Sequence, residues 1–356
     1  IFVVYGREGR SFPAETTFAD LLAMPPEEGF LIVPPVPEVD IGPFAGVTRS
    51  PILINDINGD SLAEIVFCGP SQFPGTEGHN ECYVIFGKAG SPGFPPVFDA
   101  GRLLPRNGCD GSEGFVIIGS RQFEGFGRTA DRIDGIGDFD GDGLQELLIA
   151  GGGSAVTQGR AYVFFGQTQF PPVIDLRADD AHDQARFLEL RPLPEEPSSF
   201  TGFGTGAGGI EDINGDGLAD VAVSASGRGP DETNGVWVVY GRPDPPDTFH
   251  VADLLPDNGG DGRRGFLVRT LPEEERLGHA ISSGDFNGDG VPDMAFGGRA
   301  MDPGGRSNAG RVVVLYGRGA PEPAAVPALR GVAMALLVGL VLAAGAACLW
   351  RMRSVR

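Results

Sequence analysis

The sequence predicts an all-β protein, a β-propeller of four-stranded antiparallel blades followed by one C-terminal transmembrane helix. Three observations predict this fold: a composition rich in turn-forming residues, a repeat of about 75 to 80 residues, and a long uncharged run near the end. Glycine contributes 57 of the 356 residues and proline 30, which disfavours a helical bundle or a doubly wound α/β enzyme. No Gly-x-y period runs through the chain, so collagen is excluded.

The repeat is marked by a strand that ends in an aromatic residue followed by glycine. Between these strands recur an acidic loop and further short apolar runs, including steps at Val97–Asp99, Val173–Asp175 and 251–253. The runs are apolar on both faces, as in sheets that pack between two other sheets. Four-stranded sheets at a fixed period form a β-propeller. We expect four full repeats after the last strand of a fifth, ending at Gly6, Gly87, Gly166, Gly241 and Gly317.

Each full repeat contains an acidic loop of nine residues that joins two strands. Its first, third and fifth positions carry carboxylates or amides, its seventh can offer a carbonyl, and its ninth is an acid. Glycine at the fourth position, and at the sixth in three loops, permits a tight turn. Ca²⁺ binds six to eight such oxygens. We therefore predict up to four Ca²⁺ ions, held by Asp56, Asn58, Asp60, Leu62 and Glu64; Asp138, Asp140, Asp142, Leu144 and Glu146; Asp212, Asn214, Asp216, Leu218 and Asp220; and Asp285, Asn287, Asp289, Val291 and Asp293.

Three other interpretations of these loops can be compared with the sequence. EF-hand and dockerin loops need an acid at the twelfth position, where this chain has Phe67, Ile149, Val223 and Phe296, so both are excluded. The loops could also be ordinary Asx turns without metal, which recurrence four times at a fixed period disfavours. The second loop, with four acids, should bind most tightly, and the first, with Ser61 where the others have glycine, least tightly.

The acidic loops also carry a resemblance. Phe126-Gly127, Phe203-Gly204 and Leu277-Gly278 precede three of them, and apolar runs with small residues follow. This pattern resembles the FG-GAP repeats of integrin α-subunit propellers and their bacterial relatives, over roughly residues 1–318. The resemblance implies a calcium-stabilised propeller that acts in adhesion or ligand binding, with the same loop positions as metal ligands.

Catalysis finds little support in the sequence. The four histidines share no spacing, and no nucleophile elbow, P-loop or HExxH motif occurs. We expect a protein that is not an enzyme and that binds an extracellular protein or glycan. The alternative is a non-catalytic accessory part of a larger extracellular hydrolase, whose catalytic domain would precede Ile1, since the chain begins within a strand-like run.

The net charge indicates which kinds of partner the protein can bind, and the cysteine content indicates whether disulfides hold the fold. The net charge of −21 disfavours nucleic acid as a partner and suits a protein that gathers cations. Four cysteines are too few for a disulfide scaffold. Cys68 and Cys82 flank an expected hairpin, and the spacing leaves open whether they are bonded.

The C-terminal region predicts a membrane anchor. Residues 331–350 form a run of 20 uncharged residues, long enough to span a bilayer, and a basic tail at 351–356 follows. We expect a propeller at 1–318, a Pro/Ala-rich linker at 319–330, a transmembrane helix and a cytoplasmic tail, with the propeller on the extracytoplasmic side of the cell envelope. Pro321-Glu322-Pro323 and the helix also resemble bacterial PEP-CTERM or IPTL-CTERM sorting signals, which sortase-like enzymes process; a plain anchor is the alternative.

Overall fold

The computed structural model describes residues 1–6, 9, 13, 15–35, 51–70, 79–90, 93–120, 125–127, 132–153, 158–192, 202–225, 234–270, 277–298 and 310–317. In these ranges strands dominate, as the sequence predicts. The strands are β1 (Phe2–Val4), β2 (Gly29–Val33), β3 (Ile52–Ile54), β4 (Glu64–Pro70), β5 (Asn80–Ile85), β6 (Val97–Asp99), β7 (Gly114–Ile118), β8 (Ile133–Ile136), β9 (Glu146–Gly151), β10 (Arg160–Phe164), β11 (Val173–Asp175), β12 (Phe187–Arg191), β13 (Phe203–Gly209), β14 (Val221–Ala225), β15 (Gly235–Val239), β16 (Thr248–His250), β17 (Gly265–Arg269), β18 (Leu277–Gly284), β19 (Asp293–Gly298) and β20 (Arg311–Leu315).

Within the described ranges, two short α-helices accompany the strands. Helix α1 (Phe18–Leu22) begins with a capping box, in which Thr17 and Asp20 bond each other's backbone N–H groups. Helix α2 (Ala181–Gln184) covers the outer part of one sheet through Ala181, which is buried. No helix among the described residues is both long and apolar enough to cross a membrane. The predicted transmembrane helix at 331–350 and the sorting-signal resemblance lie outside the described residues.

The strands form five sheets, one for each repeat. In spatial order, sheet 1 is β1-β2-β6, sheet 2 is β11-β7-β5-β4-β3, sheet 3 is β16-β12-β10-β9-β8, sheet 4 is β13-β14-β15-β17, and sheet 5 is β18-β19-β20. Sheets 2, 3 and 4 each contain four consecutive antiparallel strands, as expected for propeller blades. These five sheets belong to the unit Ile1–Gly317, and the second unit, Arg318–Arg356, lies outside the described residues.

Neighbouring sheets pack face to face through four apolar layers. Val66 and Val84 of sheet 2 face Leu147 and Phe164 of sheet 3, and equivalent layers join sheets 1 and 2, 3 and 4, and 4 and 5. The other face of sheet 3, for example Leu148, packs on sheet 4. Each inner sheet is therefore apolar on both sides, which explains the apolar strands of the sequence and excludes a two-layer sandwich with one wet face.

Sheets 2 and 3 each contain a fifth strand that the sequence analysis did not predict in this position. The three-residue strands β11 and β16 come from the following repeat and pair in parallel with β7 and β12, as β6 does with β2. The expectation of purely antiparallel four-stranded blades is therefore wrong for these sheets. The reason is that the chain, on leaving the third strand of one repeat, runs along the outer edge of the preceding sheet and closes that edge.

The predicted short strand at 251–253 is displaced. The strand lies at Thr248–His250, and Val251–Leu254 forms a 3₁₀ turn, as Ala100–Leu103 does two repeats earlier. The three steps predicted from the sequence share a terminal aspartate, whereas in the structure each strand is placed by the buried apolar residue at its middle. Phe98 and Phe249 occupy the matching buried positions, with 0% and 6% of their surfaces exposed.

The first strands of the sheets, β3, β8, β13 and β18, lie at one edge of each sheet and contact one another. Glycine permits this close approach. A Cβ atom on Gly135 would lie 2.8 Å from Cγ2 of Ile54 in the preceding sheet, and one on Gly209 would lie 2.6 Å from Cγ2 of Ile136. Part of the high glycine content is therefore explained by the convergence of inner strands.

The structure also resolves the question about the cysteines. Cys68 and Cys82 are directly paired residues of β4 and β5, and they form a disulfide buried between sheets 2 and 3. Cys109 is free and partly buried. Disulfides persist mainly in oxidising compartments, so this bond is relevant to the compartment in which the protein resides.

Candidate metal sites

Each acidic loop joins the first strand of a sheet to the second. We name them loop 1 (56–64), between β3 and β4; loop 2 (138–146), between β8 and β9; loop 3 (212–220), between β13 and β14; and loop 4 (285–293), between β18 and β19. All four lie at the same end of the hairpin that carries them. The repeat therefore brings the acidic loops to one face of the row of sheets.

The four loops share one pattern of hydrogen bonds. The first-position carboxylate accepts from the sixth backbone N–H, as Asp138 does from Gly143 at 3.0 Å. The third side chain accepts from the fifth N–H, and the fifth carboxylate from the seventh N–H, as Asp142 does from Leu144 at 2.9 Å. These Asx turns form without an ion. The residues predicted as ligands therefore do lie on tight turns, and the turns alone do not require metal.

The backbone at the sixth position is left-handed in every loop. Gly143 has a φ of 90° there, and Ser61 of loop 1 has a φ of 67°. The serine accepts the conformation that glycine adopts easily, so loop 1 keeps the shape of the other three. Its Asp56 carboxylate accepts from the Ser61 N–H at 2.8 Å.

The ninth-position acids are fully buried at the start of the second strand. Glu64, Glu146, Asp220 and Asp293 each have 0% of their surface exposed. One oxygen of each accepts from the backbone N–H of the second loop residue. Burial raises the pKa of Glu64 to about 7, of Glu146 to about 8 and of Asp220 to about 7. The nearby loop aspartates contribute to these raised pKa values because they disfavour another negative charge, whereas the backbone N–H bonds partly oppose the shift.

The second oxygen of these acids distinguishes the loops. In loops 3 and 4 it accepts a backbone N–H from the glycine that ends the third strand, Gly241 to Asp220 and Gly317 to Asp293, both at 2.8 Å. In loops 1 and 2 the second oxygen, Oε1 of Glu64 and of Glu146, is buried with no hydrogen-bond partner. A buried carboxylate oxygen without a partner is costly in a protein interior.

The carboxylates of loops 1 and 2 also converge. Oxygens of Asp138, Asp140, Asp142 and Glu146 all lie within 4.8 Å of one another, and the same is true of Asp56, Asp60 and Glu64. Within the described ranges, the acids of loops 3 and 4 do not meet this criterion. Hard carboxylate oxygens around an unpartnered buried glutamate oxygen match the preference of Ca²⁺. The donor sets of loops 1 and 2 therefore fit a divalent cation.

Among the residues that the structure describes, loop 2 has one basic neighbour that bonds its acids. Arg186 donates to Asp140 Oδ2 at 3.1 Å, and its guanidinium lies over the Phe165 ring at 5.0 Å. In the other loops the third residue is asparagine, whose amide donates to the fifth-position aspartate, as Asn58 does to Asp60 at 3.1 Å. Arg186 partly offsets the extra negative charge of loop 2.

Loops 1 and 2 each bond the next sheet in a way that was not predicted from the sequence. The carbonyls of Asp56 and Ile57 accept from Gln145 and Gln167 of sheet 3, and those of Asp138 and Phe139 accept from the next sheet in the same way. The sequence did contain one signal for this packing: the second residue of every loop is apolar. Ile57, Phe139 and Ile213 are buried between sheets, whereas Phe286 of loop 4 is 56% exposed.

Comparison with known proteins matches two segments. The model of the FG-GAP repeat matches residues 203–239 and 277–315, which span the first three strands of sheets 4 and 5 together with loops 3 and 4. No curated protein matches the chain. The FG-GAP resemblance is therefore supported at these two positions, and an all-β chain with such repeats is typical of β-propeller modules for ligand binding or adhesion.

Proposed function

We propose that this chain is a calcium-stabilised β-propeller that binds an extracellular protein or glycan and has no catalytic activity of its own. One observation carries the calcium part: the buried, unpartnered Oε1 atoms of Glu64 and Glu146 in the midst of converging carboxylates. The FG-GAP segments support the binding role, as does the net charge of −21, which disfavours nucleic acid.

Loop 2 would hold an ion through Asp138, Asp140, Asp142 and Glu146, with the Leu144 carbonyl as a further donor. Loop 1 would use Asp56, Asn58, Asp60 and Glu64 with the Leu62 carbonyl. The ion would neutralise part of the clustered charge and satisfy the unpartnered oxygens. A site held at 100 times its Kd stabilises a fold by about 2.7 kcal/mol.

Loops 3 and 4 are proposed as weaker sites. Their ninth residues, Asp220 and Asp293, already accept two backbone N–H bonds each. An ion in loop 3 or loop 4 would have to compete with these backbone N–H groups for the same carboxylate oxygens. We therefore propose two stronger sites in loops 1 and 2 and up to two weaker ones, which replaces the expectation from the sequence that loop 1 would bind least tightly.

An extracytoplasmic location is part of this proposal. The Cys68–Cys82 disulfide supports an oxidising compartment. The uncharged run at 331–350 and the basic tail support a membrane anchor with the propeller outside. Whether a sortase-like enzyme processes that segment stays a prediction.

Calcium titration tests the first part. The decalcified chain, titrated by calorimetry, should bind Ca²⁺, and adding Ca²⁺ at 100 times the Kd should raise its melting temperature by about 5 °C. Magnesium at the same concentration is the control, because it prefers a smaller octahedral site and retains its waters. An unchanged melting temperature and no binding heat would contradict the calcium proposal.

A binding screen tests the second part. The chain should retain a matrix protein or a glycan on an array, and retention should fall when calcium is chelated. A variant with Glu64→Gln and Glu146→Gln serves as the matched control, because it should lose the calcium dependence. Hydrolysis of the retained glycan by the chain would overturn the non-catalytic assignment.

A further inference from the structure

Neighbouring acidic loops are joined through their backbones. The carbonyl of Asp56, the first residue of loop 1, accepts from the N–H of Gln145, the eighth residue of loop 2, at 3.3 Å. The carbonyl of Ile57 accepts from Gln167 N–H at 3.0 Å. The Leu144 side chain also covers Gly59 of loop 1, where a Cβ atom would lie 3.4 Å from Leu144 Cδ2. Loop 1 thus contacts Gln145, which lies between two predicted ligands of loop 2.

The same joint recurs between loops 2 and 3 and changes at loop 4. Ala219, the eighth residue of loop 3, donates to the Asp138 carbonyl at 2.8 Å, and Arg242 donates to the Phe139 carbonyl at 2.8 Å. The eighth residue of loop 4 is Pro292, which has no N–H to donate. Loop 4 nevertheless keeps the same Asx turns. Proline at this position therefore removes the bond from the eighth residue and leaves the turns of the loop intact.

We propose that cation binding in loop 2 raises the cation affinity of loop 1 through the Gln145–Asp56 bond. This inference rests on the calcium sites proposed above. Gln145 lies between two loop 2 ligands, Leu144 and Glu146, so an ion that fixes those residues also fixes the N–H group between them. That N–H holds the backbone of Asp56, a loop 1 ligand. Loop 1 is then already partly ordered, so binding of its own ion costs less conformational entropy.

Electrostatics acts in the opposite direction. An ion in loop 2 cancels negative charge near loop 1 and so lowers its attraction for a second cation. This effect is screened beyond about 8 Å at 0.15 M salt, whereas a backbone hydrogen bond is not. Positive coupling should therefore persist, and grow, when the salt concentration rises. We expect the coupling to be about fivefold in affinity or more.

Calorimetric titration of the whole decalcified chain with Ca²⁺, at 0.15 M and 0.5 M KCl, tests the coupling. Glu146→Gln disables loop 2, and the affinity of loop 1 should then fall about fivefold or more. Gln145→Pro should cause the same fall with the loop 2 ligands still in place. Ala63→Pro is the matched control: it makes the same change at the eighth position of loop 1, and the coupling should persist.

A second measurement keeps the test decisive if the proline variant does not fold. In Glu64→Gln, which disables loop 1, calcium bound at loop 2 should still slow hydrogen exchange of the loop 1 amides. Equal loop 1 affinities with and without a working loop 2, or loop 1 exchange that ignores calcium in Glu64→Gln, would overturn the coupling alone. If the unaltered chain binds no calcium, the proposed function fails together with it.

Discussion

Loops 1 and 2 end in glutamate and loops 3 and 4 end in aspartate, although all four share the same turns and the same bond from the second N–H. The aspartates are short enough to stay at the strand, where the glycine N–H groups of Gly241 and Gly317 reach them. The longer glutamates leave Oε1 unpartnered within the loop. Glutamate is longer than aspartate by one methylene group. In loops 3 and 4 the backbone therefore satisfies both carboxylate oxygens, whereas in loops 1 and 2 one oxygen stays available for a cation.

The largest expected effect is a loss of calcium affinity at loop 2 when its buried glutamate is replaced. Glu146→Gln should weaken calcium binding at loop 2 about a hundredfold, because it removes one of four charged ligands. It should not destabilise the metal-free protein, because the amide still accepts from Phe139 N–H and carries no buried charge. Calorimetry and chemical denaturation without calcium measure the two effects.

Asp220→Asn is the matched change in loop 3 and should show the reverse pattern. Asparagine accepts with one oxygen only, so it cannot satisfy both Ile213 N–H and Gly241 N–H. We expect the metal-free protein to lose about 1–3 kcal/mol of stability, with little change in the tightest calcium binding. Equal effects of the two substitutions on calcium affinity would contradict the proposed difference between the loops.

The next effect concerns pH in the metal-free protein. Burial raises the pKa of Glu146 to about 8 and of Glu64 and Asp220 to about 7, from unperturbed values of 4.5 and 3.8. Between about pH 4.5 and 8 the folded state therefore binds more protons than the unfolded state, and stability falls as pH rises through this window. The melting temperature without calcium should drop across it.

Saturating calcium should flatten this pH profile, because the ion stabilises the ionised carboxylates. Glu146→Gln should remove the part of the slope that lies closest to pH 8, since Glu146 has the highest pKa of the three. Melting curves in chelator and in calcium at each pH make the comparison. A metal-free stability that rises from pH 5 to 8 would contradict the assignment.

A smaller effect compares loop 2 with loop 1. Arg186→Gln should raise the calcium affinity of loop 2 by about threefold to tenfold, because it removes a positive charge that contacts Asp140, and charge pairs near the surface are screened. Loop 1 has no equivalent arginine contact in the described structure, so its affinity should change little. Arg177→Gln, at an arginine that pairs with Asp175 away from the loops, is the control.

The smallest effect isolates the left-handed residue of loop 1. Ser61→Gly should stabilise the protein by about 0.5 kcal/mol, because the strain that a φ of 67° imposes on serine outweighs the larger chain entropy that glycine loses on folding. Calcium affinity at loop 1 should stay within about twofold, since the loop already has its shape. Denaturation and titration measure the two quantities, and a large gain in affinity would show that Ser61 does weaken the site.

The sequence by itself determined the repeat, the apolar strands and the four acidic turns, because these depend on local residue patterns. Apolar runs and Asx turns involve only a few neighbouring residues, and the repeat is visible by comparing the chain with itself, so all three could be predicted without coordinates. The displaced strand at Thr248–His250 shows the limit, since burial of Phe249 between sheets sets its register.

The tertiary structure decided what distinguishes the loops. Gly241 lies 21 residues after Asp220, and Gln145 lies 89 residues after Asp56, so neither contact is visible as a local pattern. Which carboxylate oxygens are satisfied, and which loops share a hydrogen bond, depend on how the third strand returns and how neighbouring sheets pack. Long-range packing fixes the partners of buried polar groups, and the sequence states only that such groups exist.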